Sequence, residues 1–208
     1  MQTHEARTAH APDPREAVGA RYEHAAMLAA RDRGFAALRD VAAGIRPGMT
    51  EGQARTRVAD VLAAHGVERL WHPNIVRFGA GTLKTFRQVP DPDLVLGEHD
   101  IYFIDIGPVW DGHEGDVGDT YVVGDDPEMH ACAAAARELF ARVARYWREH
   151  GVSGVALYDH AAREAESMGW HFNLSIKGHR VGDYPHSIHK GGSLGDYAGT
   201  PRDGLWIL

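Results

Sequence analysis

Cysteine is nearly missing from this chain. Cys132 is the only one in 208 residues, so no disulfide can form within it. It sits in an alanine-rich helical run and reads as a small buried apolar residue rather than a nucleophile. Long apolar runs are also absent. None approaches the ~18 residues needed to cross a bilayer, and no membrane partner is expected. Residues 1–12 are polar, contain acidic side chains and have no hydrophobic centre, which excludes a secretory signal and leads us to expect a cytoplasmic protein. Positive charge is in deficit: 22 Lys and Arg stand against 29 Asp and Glu, a net charge of −7. With no basic block to override that balance, nucleic acid is excluded as a partner. The remainder, 44% hydrophobic and 25% charged, is a globular composition long enough to bury a sizeable core.

Residues 1–12 are expected to be a flexible N-terminus. Asp13-Pro14 supplies an N-cap and a first-turn proline, and predicts a long alanine-rich helix to about Ala43, stopped by Gly44 and Pro47. Thr50-Glu51-Gly52-Gln53 is a capping box, so a second helix runs to about His65 and ends at Gly66, with Val58 and Leu62 on its buried stripe. Short strands and loops fill residues 71–100, punctuated by Pro73, Pro90 and Pro92. Asp126-Pro127-Glu128 opens a third helix, on which Met129, Ala133, Ala136, Phe140, Val143 and Trp147 fall on one face and are expected in the core. Gly151 ends it, Ser153 caps a fourth helix and Gly169 ends that one. Residues 170–176 (WHFNLSI) read as a strand. The order predicts an α+β fold with helices packed on one face of a curved, largely antiparallel sheet. A single domain over residues 13–208 is expected, in halves of about 13–124 and 125–208.

The centre of this pattern is Ile101 to Gly124, IYFIDIGPVWDGHEGDVGDTYVVG. Two β-rich runs flank Asp111-Gly112, a dipeptide that favours the φ > 0 conformations of a type I′ turn. Pairing Trp110 with His113 puts Asp105 opposite Gly118, and Asp116 on the same face as Gly118. The carboxylates of Asp105 and Asp116 become diagonal neighbours, with Cα atoms roughly 7–8 Å apart. In a strand that is apolar on both sides of Asp105, two such anions repel unless one takes a proton or a cation lies between them. A divalent metal answers that most simply.

A second constellation is Lys177 to Lys190, KGHRVGDYPHSIHK. His179 and His186 are separated by a glycine-containing turn and can point into one cleft. Neutral imidazole is the common nitrogen ligand for transition metals.

Together these motifs resemble the M24-type metallopeptidases, the family of methionine aminopeptidases, Xaa-Pro aminopeptidases and prolidases that share the pita-bread fold. Asp105, Asp116, Thr120 and Gly124 fit a family pattern like IDxG…DGxxGDxxxTxxVG. Gly178-His179-Arg180-Val181-Gly182 with His186 matches GHGIG followed seven residues later by a substrate-contacting His. Arg46-Pro47-Gly48-Met49-Thr50 resembles the family's PGxTE helix opening, and WHPNIVRFGAG is similar to the Xaa-Pro branch. The resemblance covers about residues 15–208.

The resemblance implies Asp105, Asp116 and His179 as metal ligands and His186 as the catalytic group that positions substrate and stabilises the tetrahedral intermediate. It also implies a divalent cofactor, two Mn²⁺ ions with Co²⁺, Fe²⁺ or Zn²⁺ as alternatives. The partner would be a small peptide or small amide, with a homodimer as an open option. Three departures accompany it. The family's two glutamate ligands are not reached before Leu208, so a C-terminally incomplete domain with an open, association-prone sheet edge is expected. An upstream substrate-contacting His has no counterpart near Thr85 and Phe86, and His72 is out of register. GHGIG has become GHRVG, so Arg180 either suits an anionic substrate or pairs with a surface acid. Glu114 lies outside the motif and is not assigned the general-base role. The implied activity is metal-dependent hydrolysis of an amide bond near a peptide amino terminus. A non-peptidase C–N hydrolase and a non-catalytic binding protein on the same fold remain open.

Overall fold

The computed structural model describes residues 13–185, 192–202 and 204–208. Four helices and six strands follow in order: α1 (His24–Ala42), α2 (Glu51–Ala64), β1 (Arg69–Phe78), β2 (Asp100–Trp110), β3 (His113–Glu114), β4 (Val117–Val123), α3 (Pro127–His150), α4 (Gly154–Ser167), β5 (His179–Val181) and β6 (Leu205–Ile207).

β2 is the centre of a four-stranded antiparallel sheet, paired with β1 on one side and with β3 and β4 on the other. The hairpin has the register expected of its turn. Trp110 pairs with His113, and Asp105 with Gly118. Asp111 and Gly112 take φ of 49° and 68°, as a type I′ turn requires. Successive β2 side chains point to opposite faces. Ile104 and Ile106 enter a core with Ala37, Leu38 and Val41 of α1 and Ala54, Val58 and Leu62 of α2. Asp105 and Gly107 therefore stand on the face turned away from these helices. A second cluster joins Val143 of α3 and Leu157, Tyr158 and Ala161 of α4 to Leu194, with Trp206 of β6 packed against it.

The helix caps follow the sequence signals. The Thr50 hydroxyl accepts the Gln53 N–H while the Gln53 side chain accepts the Thr50 N–H, the reciprocal box expected there. Asp126 and Ser153 cap α3 and α4 through their side chains. Thr50→Ala is expected to cost about 1 kcal/mol, or about 2–4 °C in melting temperature for a chain of this size. An unchanged thermal melt would remove the box from the stabilising interactions.

Three expectations are corrected. The first helix does not run from Pro14 to Ala43. A single 3-10 turn, Pro14–Glu16, is followed by irregular chain until His24. Long-range partners take the backbone groups that a helix would have used. Buried Asp183 accepts the N–H of Gly19 (2.5 Å) and of Arg21 (3.0 Å). His113 accepts the Glu23 N–H (2.8 Å), and Arg180 donates to the Ala17 carbonyl (2.8 Å). Buried Glu16 accepts the Arg202 N–H and the Trp206 indole N–H.

Second, residues 170–176 form no strand. Asn173 accepts the Ser175 N–H in a local turn, and Leu174 and Ile176 are exposed. Third, the α3 stripe is only partly core. Ala133 and Val143 are buried, but Phe140 is 55% exposed and lines an apolar groove of about 250 Å³ between α3 and α4. Cys132 lines the same groove and is half-buried. The antiparallel α+β architecture is as expected; among the described residues β5 and β6 pair with each other, and the isolated bridge His113–Asp183 links them to the hairpin.

Candidate metal centre

The exposed face of the β1-β2-β4 sheet carries the carboxylates. Because Asp105 opposes Gly118 and Gly107 lies two residues further along β2, both carboxylates sit beside positions without side chains. Asp116 lies between β3 and β4, with its side chain only 9% exposed, whereas that of Asp105 is 36% exposed.

His179 arrives from the second sheet. Segment 182–184 lies along the hairpin tip. The Glu114 N–H donates to the Gly182 carbonyl (3.0 Å), the Gly182 N–H to Glu114 Oε2 (3.1 Å), and the Tyr184 N–H to the Gly112 carbonyl (2.7 Å). Glu114 is thus fully buried and positions this segment. Gly178, at φ 62°, makes the preceding turn, where a Cβ would strike the Ile207 carbonyl and the Tyr158 hydroxyl. The result sets His179 Nε2 3.1 Å from Asp116 Oδ2. Strand alternation sends Arg180 the other way. It is buried beside Glu16 and over the Trp206 ring, so it serves neither a surface acid nor the carboxylate face.

His72 also belongs to the cluster, which the sequence reading missed. Two register shifts in β1, between Leu70 and His72 and between His72 and Ile75, bring it opposite Gly107. Its ring lies where a Gly107 Cβ would be, with Nε2 3.6 Å from Asp105 Oδ1. A local signal was present: Pro73 lacks an N–H for the ladder, and proline within a strand marks a bulge or an edge. Trp71 packs edge-on against both imidazoles, at 4.4 Å from His72 and 5.3 Å from His179 between ring centroids.

Each imidazole is held in one tautomer. His72 Nδ1 lies 2.8 Å from the Pro73 carbonyl and His179 Nδ1 3.0 Å from the Arg180 carbonyl. A carbonyl only accepts, so both Nδ1 atoms carry the proton and both Nε2 atoms of the neutral rings present a lone pair to the carboxylates. Asp116 Oδ2 is buried and, among the described residues, has no aligned hydrogen-bond donor. His72, Asp105 and Asp116 each offer a ligand atom within 4.8 Å of the others. Imidazole lone pairs facing two neighbouring carboxylates fit a divalent cation, and the O and N donors suit Mn²⁺, Fe²⁺, Co²⁺ or Zn²⁺.

The electrostatics agree. Burial pushes the Asp105 carboxyl up to about 6, with His72 opposing, Asp116 adding its like charge and His179 opposing again. Burial lowers His179, but the adjacent Asp116, the Arg180 carbonyl and the Asp105 charge outweigh it, and its pKa is raised. Both shifts describe a site short of positive charge. His186, singled out in the sequence, lies outside the described residues.

The model of metallopeptidase family M24 matches residues 25–204. The chain belongs to that family.

Solved structures similar to this M24 chain include an X-Pro aminopeptidase from Thermotoga maritima, at 18% identity and TM-score 0.66, covering 89% of this chain and 53% of that one. A prolidase from Thermococcus sibiricus is 17% identical at TM-score 0.69, over 87% and 49%. A methionine aminopeptidase from Thermotoga maritima is 21% identical at TM-score 0.67, over 92% and 78%. The chain spans about half the length of the first two. At these identities the likeness establishes the fold, which is the pita-bread fold of the M24 proteins. No curated protein matches the sequence. Among the described residues, no helix is long and apolar enough to cross a membrane.

Proposed function

We propose that this M24 chain carries the hydrolytic centre of an aminopeptidase of the Xaa-Pro type, cleaving an amide bond near a free peptide amino terminus. The carrying observation is that Asp105 and Asp116 offer ligand atoms within 4.8 Å of each other and of His72, while His179 Nε2 lies 3.1 Å from a buried Asp116 oxygen that has no aligned donor among the described residues. Asp105, Asp116 and His179 would hold a divalent ion, with Mn²⁺, Co²⁺, Fe²⁺ and Zn²⁺ as candidates. Such an ion supplies Lewis acidity, lowering the pKa of a water and polarising a carbonyl.

The chain's own residues do the rest. Asp105 gives up its proton so that the carboxylate pair can accept a cation. The Arg180 carbonyl fixes the His179 ring, and Trp71 packs against its edge. His186, seven residues after His179, is assigned substrate positioning on its sequence motif alone. The similarity of WHPNIVRFGAG to the Xaa-Pro branch supports that substrate class.

The test is turnover by the metal-loaded chain of Xaa-Pro peptides, of peptides without proline, and of small amidines. Xaa-Pro peptides should be cleaved, and Asp116→Ala should abolish the cleavage. Because Asp105 must be ionised to hold a cation, metal affinity and turnover should both fall as pH drops through about 6. Turnover of amidines alone, or an Asp116→Ala chain that retains activity, would sink the proposal.

A further inference from the structure

Residues 13–23 precede α1 and lie outside the stretch 25–204 that the family model matches. We propose that they form a clasp that seats His179 against Asp116, with Glu16, Arg180 and Asp183 as its positioning residues. The inference rests on the reading of His179 as part of the hydrolytic centre.

From its first residue to its last, the clasp crosses one element after another. Asp13 accepts the Tyr197 hydroxyl (2.6 Å), and Glu16 accepts the Arg202 N–H (2.9 Å) and the Trp206 indole N–H (3.0 Å). The Ala17 carbonyl accepts the Arg180 guanidinium (2.8 Å). Asp183 then takes the N–H groups of Gly19 and Arg21, and the Arg21 side chain donates to the Tyr184 carbonyl. The Glu23 N–H closes on His113 at the hairpin tip. One short segment thus ties β6, β5 and residues 183–184 to the hairpin.

β5 needs such a tie. It pairs with β6 over three residues, and a two-stranded ribbon has little stability of its own. His179 and Arg180 are consecutive in β5, so their side chains leave opposite faces. His179 meets Asp116 on one face, and Arg180 meets the clasp on the other. The strand is gripped from behind at the residue next to His179, and again through Asp183 just beyond it.

Arg180 separates a built grip from an incidental contact. It is 5% exposed, and its Nε and Nη1 have no hydrogen-bond partner among the described residues. A guanidinium buried in this way needs a compensating anion. The Glu16 carboxylate of the clasp supplies that charge, and the Trp206 ring lies 5.4 Å from the cation. Without the clasp, Arg180 would be buried without it. This accounts for arginine at position 180, where the pattern GHGIG carries glycine. Gly19 permits the close approach, since a Cβ there would collide with the Asp183 carboxylate.

The test is nuclear Overhauser spectroscopy of the metal-free 208-residue chain with labelled histidine and tryptophan rings. Trp71 should show contacts to both His72 and His179, whose ring centroids lie 4.4 and 5.3 Å away. Glu16→Gln removes the charge facing Arg180 but keeps an accepting oxygen. Gly19→Ala displaces Asp183 from the side of the clasp. Well below its melting temperature, each variant should lose the Trp71–His179 contact and keep Trp71–His72. Thr50→Ala, which weakens the cap of α2, should keep both. In the metal-loaded chain, Glu16→Gln and Gly19→Ala should each lower kcat for Xaa-Pro peptides by about tenfold or more.

Retention of the Trp71–His179 contact in either clasp variant overturns the proposal. Joint loss of both contacts does so too, because a general loosening would move His72 as well. So does the same selective loss in Thr50→Ala, or an unchanged kcat. The peptidase reading is judged separately. A parent chain that cleaves no peptide refutes that reading, while selective loss of the His179 contact still upholds the clasp. Cleavage by the parent with the contact intact in the variants does the reverse.

Discussion

Asp105→Asn, freed of metal, is expected to melt above the unsubstituted chain at pH 7 and to gain nothing from added Mn²⁺ or Co²⁺. Burial raises the folded-state pKa of Asp105 from 3.8 to about 6. A group raised in this way contributes stability below its unfolded pKa and loses it as pH rises through the folded value. The metal-free chain therefore weakens between about pH 4 and pH 6, where the carboxylate ionises against Asp116 in a half-buried setting. Asparagine removes the charge at similar volume. With its side chain 36% exposed, Asp105 is partly screened, so the gain is on the order of 1 kcal/mol, about 2–4 °C. The gain should vanish at pH 4, where the native carboxyl is protonated. The opposite effect is larger. At a metal concentration 100 times Kd, binding adds about 2.7 kcal/mol to the unsubstituted chain, and the variant should show no such rise. Calorimetry at pH 4 and pH 7, with and without metal, gives all four values. A variant less stable than the parent at pH 7 without metal would mean that Asp105 is a structural residue.

The second large effect is expected at Asp183. Its buried carboxylate accepts the N–H groups of Gly19 and Arg21. Asp183→Ala strips both donors of their acceptor, at a cost on the order of 3 kcal/mol, or about 6–12 °C. Asp183→Asn keeps one accepting oxygen and should lose about half as much. Residues 17–23 should also become protease-sensitive in the alanine variant, because tertiary acceptors rather than a helix satisfy their backbone. Gly19→Ala places a Cβ against the same carboxylate and should act in the same direction. A melting point within about 2 °C of the parent for Asp183→Ala would show that this segment is held elsewhere.

The parts of the fold that could be read from sequence are those with local causes. Asp111-Gly112 sets a turn, the turn sets a register, and the register places Asp105 and Asp116 on one face of the sheet. Thr50, Asp126 and Ser153 cap helices by contacts within three residues. Distant partners decided the remainder. Asp13-Pro14 signals a helix but opens only a single 3-10 turn, because Asp183, His113, Arg180 and Arg202 draw the chain away from helical bonding. The periodicity of Phe140 is real, yet nothing among the described residues covers it. His72 lay outside the motif's register because two bulges reset β1. Proline at 73 hinted at a bulge without giving its direction. The relation of His179 to Asp116 was legible only through the resemblance, since no local rule joins residues 63 positions apart.

The anchoring of Glu16 has a consequence for synthesis. Its carboxylate is buried against the Arg202 N–H and the Trp206 indole, 186 and 190 residues later in the chain. At about 5–20 residues per second, roughly 10–40 s separate the appearance of these partners. Throughout that interval the first described turn carries an acid that cannot yet be enclosed. The carboxylate pair on the hairpin likewise exists before His179 does. The ribosome thus releases an acidic, loosely closed first half, and its last contacts form only when the latest segments arrive.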